Sequence, residues 1–297
     1  MRGNPAIVEL RWAFLPALIA LAASHYVLAA IALRAAAGRR LPMSDAVMTQ
    51  LTAAAANRVT PGGLGGSAVN VRFLTCHGIP LQTAITAVAA MHLLGGLADL
   101  PMIAAVSPWV GGKVLARLYD TATDPRVLAV VAVVAVAALC WLRRRPSGLK
   151  LGGDQWAAAR TGLTDLIRRP QDLIVMMVAS AATTLCMGIA FAISVLAVPG
   201  AADPDQVGAL IIAYLVGGTV GGLVPIPAGI GSTEAVLVAA LGAVDVPAGP
   251  AIQSVLLFRL ITHWAPAPIG VLTARRALFR RPRPAPTPHA EEALSAG

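Results

Sequence analysis

Long runs of apolar residues, each broken off by arginine or proline, dominate the order of hydrophobic and polar positions along the chain. Five runs can cross a bilayer core of about 30 Å as helices rising about 1.5 Å per residue. They lie at about 12–33, 80–106, 126–142, 171–198 and 250–272. Two further apolar regions, 46–77 and 207–243, do not read as simple spans. The first is interrupted by Pro61, Gly62, Gly63, Gly65 and Gly66, the second by Pro225, Pro227, Gly229 and Gly231. Proline removes an amide donor and glycine loosens the backbone, which disfavours a continuous helix through either break. The pieces that follow, 67–76 and 232–242, are about 10 residues each, enough to reach half of the bilayer core. Both regions predict re-entrant hairpins of broken helix.

The two broken regions match each other. Pro61 precedes the Ile79-Pro80 pair by 18 positions, and Pro227 precedes Val246-Pro247 by 19. Pro80 stands 12 positions before His92, and Pro247 again 12 before Arg259. The expected fold is all-α: a polytopic helical membrane protein with an internal repeat, about 46–106 and 207–272, inside a single transmembrane domain 1–279. The loop 143–170 sets Trp156, Leu163, Leu166 and Ile167 among Arg160, Arg168 and Arg169. That pattern fits an interfacial amphipathic helix or a plain solvated connector. The Pro- and Ala-rich tail 280–297 is expected to be disordered.

Composition narrows the class. Of 297 residues, 57% are hydrophobic and 12% charged, about half the charge of a soluble domain, and the mean hydropathy is +0.73. A water-soluble globule and a disordered chain are both excluded. The net charge of +9 comes almost entirely from arginines between the apolar runs. Arg34, Arg39 and Arg40, the cluster in 143–169, and Arg275 to Arg283 are expected on the cytoplasmic side, and the loop with Asp203 and Asp205 outside. Five crossings then put the N-terminus outside and the C-terminus inside, with the two repeats inverted, as in transporters whose site lies at the repeat interface. The basic excess suits anionic lipid; no basic folded face points to nucleic acid. Cys76, Cys140 and Cys186 form no CxxC pair and read as small buried residues. The apolar stretch Trp12–Leu33 is too long for a signal peptide. With no HExxH, GxSxG or P-loop lysine, neither an enzyme nor a metal or cofactor site is expected.

Backbone that leaves helical geometry at membrane depth must be buried in protein or line a polar cavity, so the two breaks are the best pointers to a site. The half-helix after each presents free amides and a positive dipole end, suited to an anion such as a lipid phosphate. Ser67 and Ser232-Thr233 are candidate caps. Glu234 either complements the dipole or pairs with Arg259 or His263, four residues apart on one helix face. His92 and Asp99, seven apart, share a face of the matching span. Asn57, Arg58 and Arg72 are candidates to neutralise phosphate, or they snorkel to the interface. The alternative for the glycines is close helix packing.

The ordered residues Asn57-Arg58-Val59-Thr60-Pro61-Gly62-Gly63-Leu64-Gly65-Gly66, Gly78-Ile79-Pro80 and Pro225-Ile226-Pro227-Ala228-Gly229-Ile230-Gly231-Ser232-Thr233-Glu234 resemble the lysylphosphatidylglycerol synthase transmembrane region, a flippase-like family. Leu256 to Pro266 is similar to that family's last conserved helix, and the likeness runs from about Trp12 to Arg276. The resemblance implies a bacterial cytoplasmic-membrane domain that moves or binds an anionic phospholipid or a lipid-linked envelope precursor, without a soluble aminoacyltransferase domain. A non-transporting partner of an envelope-synthesis enzyme is the alternative. The chain departs from the family at Ser67, where an acidic residue is common, at Asn70, where a basic one is, at His92, where arginine is usual, and at Ala228, usually glycine. It is also expected to begin at the family's second helix.

Overall fold

The computed structural model describes residues 10–60, 64–106, 168–223 and 231–278, together with 116, 164 and 229. The expected span at 126–142, nearly all of the loop 143–170, the tail 280–297 and the break residues Pro61, Gly62, Gly63, Pro225 and Pro227 lie outside the described residues. Among the described residues all regular structure is helical. The helices are α1 (Leu15–Ala37), α2 (Met43–Val59), α3 (Leu64–Cys76), α4 (Leu81–Val106), α5 (Pro170–Leu196), α6 (Val207–Leu223), α7 (Ser232–Ala243), α8 (Ala248–Arg259) and α9 (Pro266–Leu278). A π-turn at Leu260–Trp264 joins α8 to α9. Three stretches of described helix are long and apolar enough to cross a membrane: Trp12–Ala37, Pro170–Leu196 and Ala248–Arg275.

Local chemistry sets the boundaries. α1 and α5 each carry proline in the first turn, where its missing amide costs nothing and its fixed φ suits the helix. α1 stops at Gly38, whose φ of 60° closes the end in left-handed geometry. α2 stops at Thr60, extended at φ −122° and ψ 139°, as the residue before a proline prefers to be.

α1 and α5 pack against each other as an antiparallel pair clasped at both ends. The Arg169 guanidinium donates to the Gly38 carbonyl at 3.1 Å, and the Arg11 amide to the Ala197 carbonyl at 2.9 Å. Each end of this pair holds its own apolar core. Leu33 of α1 and Met176 of α5 pack with Phe73, Leu74, Ile79 and Val88. Leu18 of α1 and Val195 of α5 pack with Leu237, Leu241, Val246 and Phe258. The second core is anchored by edge-on contacts of Phe258 with Phe191 and Tyr214.

The spacing noticed in the sequence returns as local structure. α2 and α6 both have 17 residues, and α3 and α7 have 13 and 12. The turn after α3 is closed by His77 N–H to Leu74 O, Gly78 N–H to Thr75 O and Ile79 N–H to Leu74 O. The turn after α7 repeats this bond for bond: Val244 to Leu241, Asp245 to Gly242 and Val246 to Leu241. Gly78 and Asp245 take the same left-handed conformation, at φ 79° and 64°. The short helices reach about 20 and 18 Å at 1.5 Å per residue, less than a bilayer core. α3 starts three residues earlier than the sequence suggests, at Leu64, because residues at the end of α2 supply its caps.

Candidate functional site

The functional candidates gather around the middle of the α1–α5 pair. Tyr26 is the central residue of α1 and Thr183 that of α5, so Tyr26 lies about 16 Å from either end of its helix.

In the first repeat, α3 folds back onto the end of α2. The Gly65 amide donates to Thr60 Oγ1 at 2.8 Å and the Gly66 amide to Asn57 Oδ1 at 2.5 Å. These two side chains cap the half-helix, and Ser67, the expected cap, does not take these amides. Ser67 is the fourth residue of α3, already past the position from which an oxygen reaches the first amides. Its Oγ is instead 3.2 Å from His92 Nε2 on α4. A Cβ on Gly65 would come 2.6 Å from the Ala56 carbonyl oxygen, so the close approach itself requires glycine.

In the second repeat the cap is Glu234. Its Oε2 accepts the Gly231 amide at 2.7 Å, while Gly231 turns the chain at φ 84°. Ser232, the other expected cap, is the first residue of α7, and its Oγ donates to the Gly229 carbonyl at 3.4 Å. The second Glu234 oxygen, Oε1, takes the Arg259 Nε–H at 2.7 Å, with side chains 21% and 9% exposed. Of the two partners the sequence offered to Glu234, the structure pairs it with Arg259.

Ser67 and His92 stand 25 positions apart, as do Glu234 and Arg259. Both pairs occupy matching places in the two repeats: residue four of α3 and residue three of α7, and position 12 beyond Pro80 and Pro247. One repeat holds the joint with an ion pair, the other with a neutral hydrogen bond.

The charged centre extends beyond that pair. Arg58, one residue from the end of α2, lies beside the Tyr26 hydroxyl and within electrostatic range of Arg259. It also donates to the Ala54 carbonyl. Its Nε is buried with no hydrogen-bond partner among the described residues. Tyr26 in turn donates to the Thr262 carbonyl at 3.4 Å. His263 faces both Arg259 and Arg58, and its Nε2 is likewise buried and unpartnered among the described residues. Arg58 and Arg259 thus lie within electrostatic range of each other, while the Glu234 carboxylate is held by Arg259.

Beside this centre lies a half-open cavity of about 340 Å³ between α1, α2, α3, α4 and α5. Asn57, Gly66, Ser67 and His92 from the sequence reading line it. His25, Tyr26, Gln50, Asn70, Ser180, Thr183 and Thr184, absent from the candidate site, line it too. Two signals pointed to them: His25-Tyr26 is a polar pair inside an apolar span, and Ser180, Thr183 and Thr184 follow helical spacing along one face. Arg72 is exposed on α3 and lines neither the cavity nor the charged centre. Asp99 falls within α4, but its side chain is outside the described residues.

An integral helical membrane domain is the class that fold and composition define. The family model described as the lysylphosphatidylglycerol synthase TM region matches residues 5–270. The chain belongs to that family of flippase-like membrane domains. No curated protein matches it closely enough to count as a relative.

Proposed function

We propose that this chain binds the phosphate of an anionic phospholipid, or of a lipid-linked envelope precursor, at Arg58 and Arg259 and moves that headgroup between the leaflets of a bacterial cytoplasmic membrane. The observation that carries this reading is Arg58. A guanidinium near the middle of the bilayer costs about 2.5–3.5 kcal/mol on insertion scales, and this one has no salt-bridge partner among the described residues. An arginine fork left in that state suits a bidentate phosphate. The caps on both half-helices keep the breaks close to it, and Asn57, Gly65, Ser67, Gly229, Gly231, Ser232, Glu234 and His263 frame the path.

The two cores at opposite ends of the α1–α5 pair support an inverted arrangement of re-entrant hairpins, with alternating access about the repeat interface. The cleft formed by Arg34, Arg39, Arg40 and Asp172 supports a cytoplasmic assignment for the first hairpin's turn, hence a cytoplasmic C-terminus. No chemistry is assigned to the protein itself.

The test is reduction of fluorescent anionic phospholipid by a membrane-impermeant reductant in proteoliposomes. The full chain is expected to expose inner-leaflet lipid, and Arg58→Gln to abolish that exposure while still folding. Single cysteines at His77 and Asp245 should label from opposite sides. A chain that moves no lipid, with both cysteines labelled from one side, is a scaffold and not a transporter.

A further inference from the structure

The cavity beside the arginines differs from them in one respect: no Asp, Glu, Lys or Arg side chain lines it among the described residues. Its polar groups are amides, hydroxyls and imidazoles, set among Ala29, Ala32, Ala53, Ala54 and Met91. Gln50 and Asn70, 8% and 3% exposed, are joined by Gln50 Nε2–H to Asn70 Oδ1 at 3.1 Å. That bond uses one donor and one acceptor and leaves the Gln50 carbonyl and the Asn70 amino group for another partner. The His25 ring meets the Thr183 backbone, yet its Nδ1 is buried with no hydrogen-bond partner among the described residues. A buried polar nitrogen without a partner carries a desolvation cost that a ligand hydroxyl would relieve. Ser67 and Ser180 add hydroxyls on two further walls. Tyr26 connects the two regions, since it lines the cavity and lies beside Arg58.

Resting on the phosphate reading above, we propose that this cavity is the headgroup subsite for a phosphoester of an uncharged polyol, such as a glycerol, cyclitol or sugar, whose phosphate sits at Arg58. At about 340 Å³ it stands at the lower end of the range for small-molecule sites, which fits one such ring and not acyl chains. Neutral groups that both donate and accept suit vicinal hydroxyls. An aminoacylated headgroup brings an ammonium next to two guanidinium groups, into walls that offer it no carboxylate, and is rejected by repulsion and unrelieved desolvation. The repeat sharpens this: where the second half places Glu234 and Arg259, the half that lines the cavity places Ser67 and His92.

The experiment is competition on the purified full chain in nanodiscs, with a fluorescent phosphatidic acid as probe. Phosphatidylinositol and phosphatidylglycerol are the polyol competitors, phosphatidic acid the bare phosphate, lysylphosphatidylglycerol the cationic headgroup and glycerol 3-phosphate the soluble phosphoester. Phosphatidylinositol is expected to bind about tenfold tighter than phosphatidic acid, the worth of one or two neutral hydrogen bonds. Lysylphosphatidylglycerol should bind weaker than phosphatidylglycerol. His25→Phe and Ser180→Ala should each bring phosphatidylinositol toward the phosphatidic acid level while leaving phosphatidic acid unchanged. Competition by glycerol 3-phosphate as strong as by the lipids assigns the polyol phosphoester to a soluble source, and none assigns it to lipid. Equal binding of phosphatidylinositol and phosphatidic acid, or a preference for the lysyl lipid, overturns the proposal even if both variants misfold, because wild-type protein alone decides it. Arg58→Gln weakening every phospholipid equally, with the polyol preference intact, supports both readings. Arg58→Gln without effect on any of them defeats the phosphate reading alone.

Discussion

Removing one member of the Glu234–Arg259 pair should injure the protein differently from removing both. The pair is an Nε–H···Oε1 contact of 2.7 Å with side chains 9% and 21% exposed, and the same carboxylate holds the Gly231 amide. Breaking a buried ion pair costs about 3–5 kcal/mol in soluble proteins, whereas interhelical polar contacts in membranes average about 0.6 kcal/mol and peak near 1.7. The pair is ionic but one-fifth open on the glutamate side, so about 2 kcal/mol is expected for Arg259→Ala. Glu234→Ala should cost more, about 3 kcal/mol, because it removes the carboxylate facing Arg259 near Arg58 and uncaps α7. The double variant removes both charges of the pair together and should lie about 2 kcal/mol above the sum of the singles. For a chain of this size, 2 kcal/mol moves Tm by roughly 4–8 °C, readable by thermal unfolding in detergent. Lipid translocation should remain lost in the double variant and in Arg259→Lys, because the ammonium cannot reproduce the two-pronged grip on phosphate. A coupling below about 0.5 kcal/mol refutes the energetic assignment. Full translocation in the double variant refutes the binding role.

Three further outcomes follow from the repeat and its packing. Ser67→Glu combined with His92→Arg should build a second ion pair at the neutral joint, with the double variant melting above either single by at least about 1 kcal/mol equivalent. Gly78→Ala, at φ 79°, should destabilise by about 1–2 kcal/mol in the same melts, and Gly78→Asn by less, since asparagine tolerates the left-handed region. Gly270→Ala places a Cβ against the Leu51 carbonyl and 2.8 Å from the Ala55 Cβ. It should loosen the α2–α9 seam by about 1–3 kcal/mol, seen as a lower Tm and faster protease cleavage.

Where the sequence was informative, backbone chemistry was the reason. Proline and glycine act locally, so the breaks, the X-Pro helix starts and the matched turns could all be read from residue type alone. Glu234 and Arg259 were legible for a related reason, since ionised groups stand out in apolar runs. The caps were misassigned because capping depends on where the first turn begins. With α3 starting at Leu64, Thr60 and Asn57 reach its amides across the break and Ser67 does not. The cavity wall was missed for a third reason. Gln50, Asn70, Ser180 and Thr183 come from three different helices, and nothing in linear spacing reveals that α2, α3 and α5 bring them to one level. His25 and Tyr26 lie inside a span whose apolar length dominates the pattern, and no spacing ties them to the breaks.

The π-turn after Arg259 has a geometric consequence. In an unbroken α-helix, residues 11 apart return to nearly the same side, because three turns take about 10.8 residues. Arg259 and Gly270 are 11 apart, yet Arg259 meets Glu234 on α7 while Gly270 presses on Leu51 of α2. The wide turn, marked by the Ala265 amide reaching back five residues to the Leu260 carbonyl at 2.8 Å, absorbs one extra residue and rotates the two faces apart by about a quarter of a revolution. One helix thereby works like a shaft with two offset keys, one cut for each repeat. Relaxing the wide turn to regular α-geometry would turn one key out of its slot, so the phase of that helix ties the charged joint of the second repeat to the helix that carries Arg58.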